Sequence, residues 1–148
     1  MGTITAIMPI EVLLVEDNPG DAQLTRIALE DSKFSIHLNV VEDGVEAMAF
    51  LRKQEKYAKV AQPHIVLLDL NLPRKDGREV LAEIKGDEKL KRIPVVILTT
   101  SQSEEDILKA YNLYANCYIT KPVDFDQFVK VVQSIENFWF AIVKLPPE

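Results

Sequence analysis

Short apolar runs of strand length alternate with longer stretches whose apolar residues recur at helical spacing, and no other feature constrains the chain as much. Val12-Leu13-Leu14-Val15 fills the run Glu11–Val15, and Ile36, Leu38 and Val40 alternate through Ile36–Val41. Ile65-Val66-Leu67-Leu68 fills His64–Leu68, Val-Val-Ile-Leu spans Val95–Leu98, and Cys117–Ile119 is a shorter fifth run. Three of these are continuously apolar, which is the pattern of parallel strands covered on both faces.

Between the runs the period lengthens. Asn18-Pro19 reads as a helix start, with Asn as the cap and Pro at the first helical position, and Leu24, Ile27 and Ala28 fall on the expected apolar face. Asp43-Gly44 opens a second helix through Ala47, Phe50 and Leu51, and Asp76-Gly77 a third through Val80, Leu81 and Ile84. Ser103 with Asp106 reads as a capping box before Ile107, Ala110 and Leu113. Asp124 starts a fifth helix through Phe128, Val131, Val132 and Ile135. Five strand–helix pairs joined by right-handed crossovers predict an α/β fold, a doubly wound parallel sheet with helices on both faces. The polar segment Gln54–Gln62 is expected to be a loop or frayed helix end, and Lys144–Glu148, with Pro146-Pro147, a loosely held tail.

No repeat, low-complexity tract or linker marks a second domain, and 148 residues suit one. The net charge of −6 argues against sequence-independent nucleic-acid binding, which needs Lys and Arg in excess. The single cysteine, Cys117, excludes an intramolecular disulfide and suits a reducing interior. No apolar run approaches the roughly 20 residues that span a bilayer. The first residues lack a basic region followed by a long apolar stretch. A cytoplasmic protein without membrane partners is expected.

In an open parallel sheet, ligands sit outside the carboxyl ends of the strands. There the first run ends in Glu16-Asp17, the third in Asp69, the fourth in Thr99-Thr100 and the fifth in Thr120-Lys121-Pro122. One Asp at a strand end is most often a helix cap, and a lone Lys121 would be an ordinary surface lysine. Their joint occurrence on one rim is the specific signal. Three packed carboxylates repel one another, and a hard divalent cation relieves that repulsion while leaving waters for an incoming phosphate. A lysine and a hydroxyl opposite hold the remaining phosphoryl oxygens. The set suits in-line phosphoryl transfer to a carboxylate nucleophile, giving an acyl phosphate.

The pieces Val15-Glu16-Asp17-Asn18, Leu68-Asp69-Leu70-Asn71-Leu72-Pro73, Asp76-Gly77, Leu98-Thr99-Thr100-Ser101 and Thr120-Lys121-Pro122 resemble the receiver domains of bacterial two-component response regulators. The resemblance runs from about Ile10 to Phe138. It implies a flavodoxin-like sheet in the order 2-1-3-4-5 and one receiver domain over residues 1–148, with an aromatic extension over 138–148 and no output domain. It implies Asp69 as phospho-acceptor and Mg²⁺ (or Mn²⁺) as cofactor. Asp17 and Asp69 would hold the metal by side chains, Asn71 by its backbone carbonyl, and Glu16 mainly through metal-bound water. Thr99 would hydrogen-bond the phosphoryl group, Lys121 would pair with it, and Tyr118 would be the switch aromatic that turns inward when Thr99 moves. It also implies a cis Lys121–Pro122 bond. Such a domain is a phospho-acceptor that promotes its own phosphorylation and dephosphorylation, not an enzyme in the ordinary sense. Ser101, two residues after Thr99, offers neither acid nor amide to orient a hydrolytic water, so slow dephosphorylation is expected.

Asn71-Leu72-Pro73-Arg74-Lys75-Asp76-Gly77-Arg78-Glu79, the Gln54–Gln62 insert and the aromatic end Phe138-Trp139-Phe140 are similar, more narrowly, to the cyanobacterial phytochrome response regulators. That implies a phytochrome-type histidine kinase as phosphodonor and a downstream protein reached by contact alone.

Two other functions compete. A phosphohydrolase of the haloacid-dehalogenase type also uses an Asp nucleophile, but wants a second Asp two residues later, where this chain has Asn71. An interaction domain independent of phosphorylation would have no need of the acidic set. His37 and His64 lie on different strands and read as structural or exposed, and Cys117 has little claim to reactivity. Tyr111, Tyr114 and Tyr118, then Phe125, Phe128, Phe138, Trp139 and Phe140, are more aromatics than one helix face buries. They predict a homodimer through the fourth helix, fifth strand, fifth helix and tail. The competing possibility is a tail folded back on its own domain.

Overall fold

The structure, a computed structural model, describes residues 9–30, 35–99 and 117–134. Among them the five apolar runs are strands: β1 (Ile10–Val15), β2 (Ile36–Val41), β3 (Ile65–Asp69), β4 (Val95–Thr99) and β5 (Cys117–Thr120). All pair in parallel, in the order β2-β1-β3-β4-β5. The helices are α1 (Pro19–Glu30), α2 (Gly44–Leu51), α3 (Gly77–Gly86) and α4 (Phe125–Ser134), which is the fifth helix expected from the sequence. The helix expected from Ser103 lies outside the described residues, as do Tyr111, Tyr114, Phe138, Trp139 and Phe140.

Pleating explains why the strands read as unbroken apolar runs. Leu13, Val15, Val66, Leu68, Val95 and Ile97 point to one face, where they meet Ala47, Phe50 and Leu51 of α2 and Val80, Leu81 and Ile84 of α3. The alternate residues Val12, Leu14, Ile65, Leu67, Val96 and Leu98 meet Leu29 of α1 and Phe128 of α4 on the other. The apolar residues of β1, β3 and β4 are buried whichever way they point, whereas the edge strand β2 is mostly half-buried and keeps its alternation.

β3 and β4 each extend one residue past their apolar runs. Asp69 stays in register with Leu98, and Thr99 with Thr120. The backbone ladder is indifferent to the polar side chain, so Asp69 sits on a hydrogen-bonded strand and not on a loop.

The caps fall where the sequence places them. Asn18 Oδ1 accepts from the Asp21 N–H at 2.9 Å, Asp43 Oδ1 from Glu46 at 2.8 Å and Asp124 Oδ1 from Gln127 at 2.8 Å, while Asp76 and Glu79 form a capping box.

Two expectations need correction. Leu24 and Ile27 of α1 are about half exposed, and the helix buries Thr25 and Leu29 instead. Thr25 goes inside at little cost because its hydroxyl donates to the Asp21 carbonyl one turn back, at 3.1 Å. The segment Gln54–Gln62 is not simply a loop or a frayed end. Glu55–Tyr57 forms a one-turn 3₁₀ helix. The Tyr57 ring packs on Phe50 with centroids 5.1 Å apart, and its hydroxyl donates to Glu46 Oε1 at 2.5 Å.

Candidate functional site

β1 delivers Glu16-Asp17 to the carboxyl rim of the sheet, β3 delivers Asp69, and β5 runs directly into Lys121. Glu16 and Asp69 are buried and Asp17 is exposed, yet each places a carboxylate oxygen within 4.8 Å of the other two. Among the described residues this is the acidic group close enough to share a cation.

Each buried carboxylate is held at both ends. Asp69 Oδ1 accepts from the Asn71 N–H at 3.0 Å, while Oδ2 lies 2.7 Å from Lys121 Nζ. Glu16 Oε2 accepts from the Asn18 N–H at 3.2 Å, while Oε1 lies 3.0 Å from Lys121 Nζ. Backbone N–H groups from the loops after β1 and β3 therefore fix the carboxylate planes, and one ammonium bridges them.

The charges are unbalanced, three carboxylates against one ammonium. Burial pushes the Glu16 carboxyl up to about 7, and the neighbouring Asp69 adds to this while Lys121 pulls it back. Burial opposes the Lys121 charge, but its hydrogen bond to Asp69 and its ion pair with Glu16 outweigh that and hold the ammonium above the usual lysine range.

Close backbone packing fixes the loop after Asp69. A Cβ on Gly77 would stand 2.4 Å from the Asp69 carbonyl oxygen and 2.6 Å from the Leu70 Cα. Only glycine lets α3 begin so near the Asp69 backbone. Farther along, Arg74 adopts a left-handed conformation with φ 65°, and its guanidinium reaches Asp43 Oδ2 at 3.1 Å.

Of the residues expected from the sequence, Glu16, Asp17, Asp69 and Lys121 converge, and Asn71 joins them through its N–H. The Thr99 backbone closes β4 on the same rim. Tyr118 is half-buried on β5 against the face shared with α2 and α3. The Lys121–Pro122 bond is cis, as the resemblance implies. The histidines are structural or exposed, His64 half-buried and His37 exposed, and one residue joins them: Glu11 donates its N–H to His64 Nδ1 at 2.8 Å, and its carboxylate meets His37 Nδ1 at 2.7 Å.

One site residue escaped the sequence reading. Asp21, in the first turn of α1, places Oδ2 3.3 Å from Lys121 Nζ.

Comparison with known proteins agrees with this geometry. The family described as "Response regulator receiver domain" matches residues 12–133. The chain is 50% identical over 138 residues to the response regulator Rcp1 of Synechocystis sp., covering 93% of this chain and 94% of that one. The solved structure of the phosphorylated cyanobacterial phytochrome response regulator RcpA is 50% identical, with a TM-score of 0.74 over 95% of this chain and 100% of that one. The Mn(2+)-bound form of response regulator Rcp1 is also 50% identical, with a TM-score of 0.71 over 94% of this chain and 100% of that one. The sheet order, the acidic rim and the extent of these matches together show that the chain belongs to the response regulator receiver domain family.

Proposed function

We propose that this chain is a single-domain response regulator that accepts a phosphoryl group on Asp69 from a histidine kinase and signals through protein contacts. The observation that carries this reading is the setting of Asp69: a buried carboxylate, aimed by the Asn71 N–H, lying between an acidic pair and the Lys121 ammonium. A carboxylate oxygen of Asp69 attacks phosphorus, the bond to the donor's leaving group breaks with its electron pair, and an acyl phosphate results. Lys121, already 2.7 Å from Asp69, neutralises charge on the transferred group. Thr99, at the end of the adjacent strand, supplies a hydroxyl to a phosphoryl oxygen, and Tyr118 on β5 responds to its movement.

The donor set fits a hard divalent cation. The ligands are all oxygen, one carboxylate is open to solvent, and Glu16 resists ionisation in the absence of another positive charge. Asp17 and Asp69 would hold Mg²⁺ or Mn²⁺ directly, with the Asn71 carbonyl, and Glu16 through water. The ion would neutralise the repulsion between an anionic donor and the carboxylates. The relative solved with Mn²⁺ and the one solved phosphorylated support both halves of this reading. RcpA, a phytochrome response regulator, further supports a phytochrome-type kinase as the donor. A haloacid-dehalogenase role gains nothing from the structure, since Asn71 meets Asp69 through its backbone N–H and offers no carboxyl as acid or base.

The test is labelling with acetyl phosphate in Mg²⁺. The wild type is expected to take up one phosphoryl group, lost with EDTA or with Asp69→Asn. Undiminished labelling of that variant would sink the assignment.

A further inference from the structure

Lys121 has three carboxylate partners, and only Glu16 and Asp69 belong to the acidic group close enough to share a cation. The third, Asp21, comes from α1 and lies 3.3 Å from Nζ. Its side chain is 43% exposed, against 1% for Glu16 and 7% for Asp69. Asp21, Lys121 and Glu16 line a cavity of about 330 Å³ walled by Leu24, Thr25 and Pro122. The Asp21 backbone is fixed in the capped first turn of α1, its N–H donating to Asn18 Oδ1 at 2.9 Å.

We propose that Asp21 is a positioning residue for Lys121, anchoring the ammonium on the α1 side of the site and setting both the rate of phosphoryl transfer and the entry of the donor. The inference rests on the reading of Asp69 as acceptor. An ammonium carries three donors on a flexible four-carbon stem, so its position is defined only by its partners. Glu16 and Asp69 hold it from the sheet side. Asp21 holds it from the helix side and keeps it from settling wholly onto the oxygens a cation would use. Without Asp21 the third proton turns to water, Lys121 wanders, and it competes more strongly with the cation. Asp21 also places a half-exposed negative charge at the cavity mouth, which opposes a dianionic donor.

These effects have opposite signs in donor kinetics. Removing Asp21 lowers the maximal labelling rate through Lys121, but it also lowers the half-saturating donor concentration by removing repulsion. A side chain that merely stabilises α1 would change only the fraction of protein that labels.

The experiment compares wild type, Asp21→Ala, Asp21→Asn and Asp21→Glu, measuring acetyl phosphate labelling in saturating Mg²⁺, Mg²⁺ binding by calorimetry without donor, and melting temperature. In Asp21→Ala the maximal rate and the Mg²⁺ affinity are each expected to fall about threefold, the factor a partly exposed ion pair commands, while the half-saturating donor concentration also drops. Asp21→Glu restores the maximal rate. Asp21→Asn, an acceptor without charge, recovers part of it and keeps the lowered half-saturation. Wild-type rate constants and Mg²⁺ affinity in Asp21→Ala, a change in labelled fraction alone, or failure of Asp21→Glu to restore the rate would each overturn the proposal. A wild type that does not label would refute the reading of Asp69 and Asp21's role with it.

Discussion

Gly44 lies so close to Lys75 that a Cβ built on it would stand 2.0 Å from the Lys75 carbonyl oxygen. The first residue of α2 thus rests directly on the backbone of the loop that follows Asp69. Its neighbours secure the contact: Asp43 caps α2 through Oδ1 and binds Arg74 through Oδ2, and Lys75 pairs with Glu83 of α3. Gly44→Ala must push the loop and α2 apart. A loss of about 1–3 kcal/mol in unfolding free energy is expected, the usual penalty of overpacking. Because the loop carries Asn71, Mg²⁺ affinity should fall as well. Urea denaturation and a Mg²⁺ titration check the two effects, and full stability in the variant would show that the loop yields freely.

Lys121 and a cation want the same oxygens. The ammonium lies 2.7 Å from Asp69 Oδ2 and 3.0 Å from Glu16 Oε1. Lys121→Met keeps the stem and removes the charge. Mg²⁺ should bind on the order of tenfold more tightly, because one like charge leaves the shared carboxylates. The comparison belongs at pH 9, since Glu16 is already raised to about 7 with Lys121 in place and rises further once Lys121 no longer pulls it down. Labelling by acetyl phosphate should slow in the same variant. Calorimetry at fixed pH separates the two, and weaker Mg²⁺ binding would contradict the competition.

His64 gives the fold a dependence on acid. Its Nδ1 accepts the Glu11 N–H at 2.8 Å, so the ring must be neutral, and burial lowers its pKa from the ordinary 6.5 although Glu11 opposes the shift. A base with a depressed folded pKa binds fewer protons folded than unfolded. Its contribution to stability is therefore complete above 6.5 and is lost as pH falls from there toward the folded value. His64→Phe loses the hydrogen bond, worth about 1 kcal/mol, but its unfolding free energy should vary less between pH 7 and 5. Parallel pH profiles for the two proteins would rule this out.

The sequence shows most of the sheet because the apolar residues of β1, β3 and β4 are buried on one face or the other, which leaves the runs unbroken. It shows Glu16, Asp17, Asp69 and Lys121 because a parallel sheet sends its strand ends to one rim. It does not show which side of α1 faces inward. Leu24 and Ile27 are the more apolar pair, yet docking buries Thr25, whose hydroxyl is satisfied within the helix. Nor does it show Tyr57, whose partners Phe50 and Glu46 lie back in α2. Asp21 escaped because an Asp in a first helical turn ordinarily serves the helix dipole, and its partner Lys121 is 100 positions away.

The last prediction concerns assembly. Phe138, Trp139 and Phe140 are consecutive, so on a helix they point in different directions, and one at least must face away from the chain's own core. With Tyr111 and Tyr114 they make an aromatic set beyond what one small domain buries, though all five lie outside the described residues. A self-complementary apolar patch closes most simply as a two-fold dimer, and aromatic residues concentrate the binding energy of such interfaces. Phosphorylation of Asp69 should strengthen the dimer if Tyr118, on the edge strand β5, changes position with Thr99. Sedimentation at micromolar concentration is expected to show a dimer for the wild type and a shift toward monomer for Trp139→Ala, with the wild-type dimer tightened by acetyl phosphate and Mg²⁺. If both proteins sediment as monomers with and without the phosphodonor, the aromatic set belongs to the chain's own core or to another protein's interface.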